Sequence, residues 1–163
     1  MASPAALLPA DVASGLEPHA LSSALDAARS LLAAMPPGAT GGPVLSIGDS
    51  DTVLRLTRQV LIDAVKGYPE EECRLAAAAM GPILRDRSLS RGLFVVRGDG
   101  TLVSTGRELH PIAGLVPPFD ALDPESIARA LTRASRAAAV AASRARGRVA
   151  LFAKGEEIPL HQG

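Results

Sequence analysis

Arg129, Arg133 and Arg136 recur at intervals of four and three residues, and Arg144, Arg146 and Arg148 follow shortly after. On one face of a helix, such side chains would form a phosphate-binding stripe, because the guanidinium fork donates bidentately to phosphate oxygens. A solvated face opposite Ile127, Leu131 and Ala138 explains the same spacing, and the abundance of arginine on protein surfaces favours it. Arg97-Gly98-Asp99-Gly100 has the composition of a phosphate-cradling turn, although a hairpin between two apolar strands explains the glycines more simply. Asp49 and Asp51 are cation-ligand candidates, with helix capping as the alternative for at least one of them. Arg74 and a nearby helix start are expected to lower the pKa of the lone cysteine, Cys73. His19, His110 and His161 are scattered, without metal-ligand spacing, and Ser135 and Ser143 carry no nucleophile signature.

The elements that must position these groups are read from periodicity and punctuation. Leu21, Leu25, Ala28, Leu31 and Leu32 predict a helix from about His19 to Met35, stopped by Pro36-Pro37-Gly38. Val44 to Ile47 reads as a buried strand. A helix follows from Thr52 to about Ile62, and another from Pro69 to Met80, extending through Leu84 after Gly81-Pro82. Leu93 to Val96 and Thr101 to Ser104 form a hairpin around the Arg97–Gly100 turn. His110 to Asp123 is a loop. Asp123-Pro124-Glu125 supplies the cap and first turn of a helix expected to run unbroken to Ser143, and Arg148 to Ala153 is the last strand. The fold class is therefore α/β, a mixed central β-sheet flanked by helices.

The 163-residue chain is long enough for one cored domain. Residues 1–18, rich in Ala and Pro, read as a flexible arm, 19–158 as the globular unit and 159–163 as a tail. Aromatic residues make up only 2% of the chain, so the core must be aliphatic. Lys and Arg balance Asp and Glu at 17 each, which leaves no global field to steer nucleic acid or an anionic membrane. One cysteine fits a reducing compartment, and no apolar run reaches the length of about 18 residues that a membrane helix needs. A soluble, cytoplasmic protein is expected.

Three strings, in order, resemble the diadenylate cyclase domain, the nucleotide-binding module of the DNA-integrity-scanning protein family. They are Ile47 to Gln59, Lys66 to Glu72, and Gly92 to Leu109. The likeness spans about residues 20–158 and implies a cyclase-like fold. It also implies adenine nucleotide as ligand, pairing of facing domains, and magnesium or manganese as metal in any active form. The family's Asp-Gly-Ala motif falls on Arg91, Gly92 and Leu93, so a cation stands where a metal-binding carboxylate belongs; Coulomb repulsion then opposes a divalent ion. Its Arg-His-Arg motif falls on Ala134, Ser135 and Arg136, and Thr132-Arg133 replaces the preceding Gly-Thr. A Ser-Glu pair of the family's last strand aligns near Lys154-Gly155.

The resemblance thus implies an inactive domain, with no cofactor required. Gly92 and Leu93 are expected against a base or ribose, Leu109 lining the pocket, and Arg133 and Arg136 on phosphate. Restoring Arg91→Asp and Ser135→His is expected to recover metal binding. The rival readings are an active cyclase with a rearranged metal site drawing on Asp86, Asp49 or Asp51, and a ligand-free scaffold. Partners would be an adenine nucleotide, a second copy of the chain or another protein.

Overall fold

A computed structural model describes residues 4–36, 38, 41–77, 80–87, 92–110 and 123–160. Seven strands form one sheet: β1 (Val44–Ile47), β2 (Thr57–Gln59), β3 (Leu93–Val96), β4 (Leu102–Leu109), β5 (Ala138–Ser143), β6 (Arg148–Ala153) and β7 (Glu156–Ile158). Their spatial order is β2-β4-β3-β1-β5-β6-β7. β1 and β3 are parallel, and every other neighbouring pair is antiparallel. The mixed sheet flanked by helices is the architecture expected.

Side-chain alternation divides the core between the two faces of the sheet. Leu45, Ile47, Phe94, Val96, Ala138, Val140, Ala142 and Leu151 pack with Leu21, Leu25, Ala28 and Leu31 of a helix spanning Pro18–Ala34. Val44, Leu93, Val95, Ala139, Ala141 and Phe152 pack on the other face with Val53, Ala128 and Leu131. Those last three belong to helices Ser50–Leu56 and Pro124–Arg133. In chain order the helices are α1 (Ala10–Ala13), α2 (Pro18–Ala34), α3 (Ser50–Leu56), α4 (Met80–Arg87) and α5 (Pro124–Arg133), with 3-10 turns at Pro4–Leu7 and Glu70–Cys73.

Four expectations are corrected. The helix expected over Asp123–Ser143 ends at Arg133, and Ala138–Ser143 is a strand inside the sheet. Alanine is the best helix former, but here its small size lets α2 and α5 approach from opposite faces, and that packing overrides propensity. The helix expected to reach Ile62 stops at Leu56, where the Thr57 hydroxyl donates to Val53 O at 2.8 Å and the chain turns into β2. Glu70–Cys73 is a 3-10 turn rather than the start of a long helix. Finally, the arm expected over residues 1–18 is packed from Pro4 on: Leu8 and Val12 are buried in the α2-face core, and Glu17 N donates to Gly98 O at 2.8 Å.

At the β3–β4 turn, Arg97 Nη2 donates to Asp99 Oδ2 at 2.6 Å, Thr101 N donates to Asp99 Oδ1 at 3.0 Å, and Arg97 also pairs with Glu70. Arg97 foremost, with Thr101, holds the Asp99 carboxyl far below the usual carboxylate range against the opposing effect of burial. A depressed folded-state pKa gives stability that is complete above the unfolded value, about 3.9, and is lost as pH falls through the folded one. Stability should therefore decline as pH drops below about 4, and Asp99→Asn should flatten that decline in urea titrations across this range. Gly98 faces the N-terminal segment so closely that an added Cβ would lie 2.0 Å from Gly15 O. Gly98→Ala should cost about 1–3 kcal/mol in chemical denaturation, the usual range for overpacking.

Candidate functional site

Parallel β1 and β3 give the sheet two distinct ends. Val44 pairs with Leu93 at the amino end and Ile47 with Val96 at the carboxyl end. β4 runs back to the amino end, where Arg107 opposes Leu93 and Leu109 opposes Thr57 of β2. β5 enters at the carboxyl end, where Ala138 opposes Ile47, and leaves at the amino end.

This register divides the residues expected to form one pocket. Gly92, Leu93 and Leu109 lie at the amino end, whereas Arg133, Ser135 and Arg136 lie at the carboxyl end, roughly a strand's length away at about 3.3 Å per residue. Leu93 and Leu109 are buried core members on the α3–α5 face, not walls of a cleft. Gly92 is a packing glycine: a Cβ there would lie 2.9 Å from Gly106 Cα. Ser135 Oγ donates to Leu131 O at 2.8 Å and accepts from Ala137 N at 3.3 Å, so it finishes α5 and launches β5. Within one copy of the chain Gly92 and Ser135 occupy opposite ends of the sheet and do not meet. Arg91, His161 and the Asp86 side chain lie outside the described residues.

Other candidate groups are committed to structure. Asp49 has φ 43°, does not cap α3 with its side chain, and accepts from Arg136 N at 2.8 Å, tying the end of β1 to the α5–β5 loop. Arg129 stacks 4.9 Å from the centre of the Phe152 ring and donates to Gly155 O at 3.4 Å. Arg133 lies over Gly155, where an added Cβ would come within 3.0 Å of its Nε. Arg129 and Arg133, read from the sequence as a solvated face more readily than a phosphate stripe, line a seam of α5 on β6 and β7, and Arg136 is in the following loop. Lys154 and Gly155, both at positive φ, form the β6–β7 turn. Burial pushes the Cys73 thiol up, and Glu72, Asp63, Glu70 and Glu71 push it further, the reverse of the lowering expected.

The amino end holds a charge cluster that sequence reasoning missed. Arg148 donates from Nη2 to Glu125 Oε1 at 2.6 Å and from Nε to Oε2 at 3.0 Å. The same guanidinium reaches both oxygens of Glu157, at 2.8 and 3.3 Å. Arg146 donates to Asp123 Oδ1 at 2.9 Å and lies 3.4 Å from Glu125 Oε2. The Glu125 side chain is only 5% exposed. Glu125 first, then Glu157, hold Arg148 more firmly protonated than usual. Burial opposes the shift at Asp123, but Ser126 and Arg146 prevail and lower its carboxyl. Asp123 and Glu125 looked like ordinary cap and first-turn residues. Placing Ala138–Ser143 in the sheet would have brought the Arg144–Gly147 turn beside them and exposed the pairing.

Chemically this is a clamp fastening the start of α5 to β6 and β7, not an acid–base pair. Its carboxylates spend their oxygens on guanidiniums, and a divalent ion there would meet Arg146 and Arg148. The donor set does not fit a metal.

A seven-stranded mixed sheet with one parallel pair and helices on both faces is the class of protein this fold defines. Among solved structures the chain is similar to a hypothetical membrane spanning protein from Bacillus cereus, with a TM-score of 0.58, 18% identity, and coverage of 91% of this chain and 69% of that one. It is also similar to DacA from Staphylococcus aureus, crystallised as the N166C/T172C double mutant, with a TM-score of 0.51, 11% identity, and coverage of 85% and 84%. At these identities the likeness is one of fold. No protein-family model and no curated protein matches the sequence. Among the described residues no helix is long and apolar enough to cross a membrane.

The clamp makes a prediction. Arg148→Met removes the bidentate partner of a buried carboxylate, leaving it only Arg146, and should cost about 2 kcal/mol, less than a fully buried pair because Arg148 is 41% exposed. Adding Glu125→Gln should recover part of that loss, measured as the urea midpoint. An unchanged midpoint in the single variant would refute the clamp.

Proposed function

We propose that this is a cyclase-like domain without cyclase activity, a cytoplasmic module that binds adenine nucleotide as a sensor or through which a second copy or another protein is engaged. The observation that carries the reading is the likeness of fold to DacA, a diadenylate cyclase, over 85% of the chain. Two features support the loss of chemistry. The sequence puts Arg91 where the resembled motif has its carboxylate. At the same end of the sheet as Gly92, Asp123 and Glu125 are paired with Arg146 and Arg148, and Glu157 reaches Arg148 from β7. Metal-assisted phosphoryl transfer depends on carboxylates that hold cations against the phosphates. Here the acidic groups hold the protein together instead.

The reading rests on the fold and not on Gly92, Leu93, Leu109, Arg133 and Arg136 acting as one pocket, since the register divides them. A nucleotide bound at either end of one copy would meet only half of that set.

The purified 163-residue chain incubated with ATP and manganese should release no cyclic di-AMP above background. Thermal-shift titration should show ATP or ADP raising the midpoint, because a ligand that binds only the folded state must stabilise it. Formation of product at an enzyme-like rate would establish an active cyclase. A flat response to ATP, ADP, cyclic di-AMP and cyclic di-GMP would establish a ligand-free scaffold.

A further inference from the structure

The end of the N-terminal segment, Gly15 to Glu17, lies across the carboxyl ends of the two parallel strands. A Cβ on Gly98, just after β3, would lie 2.0 Å from Gly15 O, and one on Gly48, just after β1, would lie 2.6 Å from Leu16 Cδ2. The region beyond the carboxyl ends of parallel strands is where open α/β sheets leave room for ligands. Here the chain's own backbone fills it.

The attachment of this segment is uneven. Leu8 and Val12 are its buried anchors. Toward the β6–β7 turn it is held by an ion pair between Asp11 of α1 and Lys154, whose side chains are 45% and 44% exposed. Lys154 presents itself there from a left-handed backbone position, φ 55°. Arg136, whose N–H donates to Asp49 Oδ2 at 2.8 Å just after Gly48, stands at the same end of the sheet as Leu16, and Lys154 foremost holds the Asp11 carboxyl below the usual range. Arg133 and Arg136 are exposed, and among the described residues neither has an ion-pair partner. One carboxylate from the segment therefore pairs with Lys154, at the end of the sheet where Arg133 and Arg136 are also exposed, and these cations would suit a more highly charged anion.

We propose that Pro4–Glu17 is a releasable strap: the Asp11 carboxylate stands in for an anion on Lys154 and Arg136, and a polyphosphate-type anion that displaces it uncovers the carboxyl ends of β1 and β3. A phosphate-rich anion suits the place because it brings several charges where Asp11 brings one, and because guanidinium groups bind phosphate bidentately. The strap does not depend on the cyclase-like reading; a protein indifferent to ATP in the thermal-shift assay can still have it.

Hydrogen–deuterium exchange of the full chain, followed by mass spectrometry, tests the proposal with sodium pyrophosphate as the probe and sodium chloride at equal ionic strength as the control. Pyrophosphate should speed exchange in residues 4–17 while β5 stays protected, and chloride should not match it. Lys154→Met should speed strap exchange without any anion, by roughly two- to fivefold for one exposed ion pair, and should abolish the response to pyrophosphate. If Lys154→Met also loosens β5, Asp11→Asn decides instead, because it removes the latch from the strap side and should reproduce the open strap with β5 intact. Strap exchange that follows ionic strength alone would overturn the proposal, as would latch variants whose straps stay as protected as the parent's.

Discussion

The arrangement of this molecule depends on one strand of small side chains. β5 contributes five alanines and valines, Ala138 to Ala142, all buried, with β1 on one side and β6 on the other. Ala138, Val140 and Ala142 belong to the core under α2, while Ala139 and Ala141 belong to the core with α5. Interiors are close-packed, so helix-to-sheet distance is set by what stands between the layers. Methyl groups let both helices come near, and a chain with 2% aromatic residues can fill its core this way. The rest follows by connectivity. α5 must end early enough for the Ala134–Ala137 segment to reach the carboxyl end of the sheet, and the Ser143–Arg148 turn must then fall at the amino end beside Asp123 and Glu125. The position of the clamp is a consequence of β5 being a strand.

The parts of the fold legible in the sequence were those where local preference and tertiary demand agree. β1 and β3 carry branched or aromatic side chains between glycines and turn residues, and α2 has an apolar stripe at helical spacing ended by prolines. β5 was illegible for a physical reason. A run of alanines favours helix wherever nothing else intervenes, and its strand identity comes from β1 and β6, which lie far away in sequence. β7 and the packed N-terminal segment were hidden similarly, since Glu156–Ile158 is too short to show a period and Leu8 and Val12 become core residues only against α2 and the sheet.

For the candidate site, residue types were legible but addresses were not. The arginines were correctly seen as numerous and clustered. Their division into a seam on β6 and β7, a clamp at the amino end and an exposed group at the carboxyl end depends on strand register. One direction assigned to 138–143 moves Ser135 and Arg136 from beside Gly92 to the opposite end of the sheet.

The same register separates tightly paired from loosely paired charges within a chain whose formal net charge is zero. At the amino end, Asp123 and Glu125 are held by Arg146 and Arg148, Glu157 reaches Arg148 from β7, and their hydrogen bonds are mutual. At the carboxyl end Asp49 is engaged by a main-chain N–H, which leaves Arg136 exposed, with Arg133 and Lys154 nearby and Asp11 as the counterion. An anion arriving at the amino end must break bidentate pairs around a buried glutamate, and a carboxylate left unpaired there keeps its full desolvation penalty. An anion arriving at the carboxyl end displaces one solvent-exposed pair, whose loss costs little. By these magnitudes the carboxyl end is the more receptive to phosphate. A nucleotide-binding role is therefore better sought where the N-terminal segment now lies than at the end where the resembled motif begins.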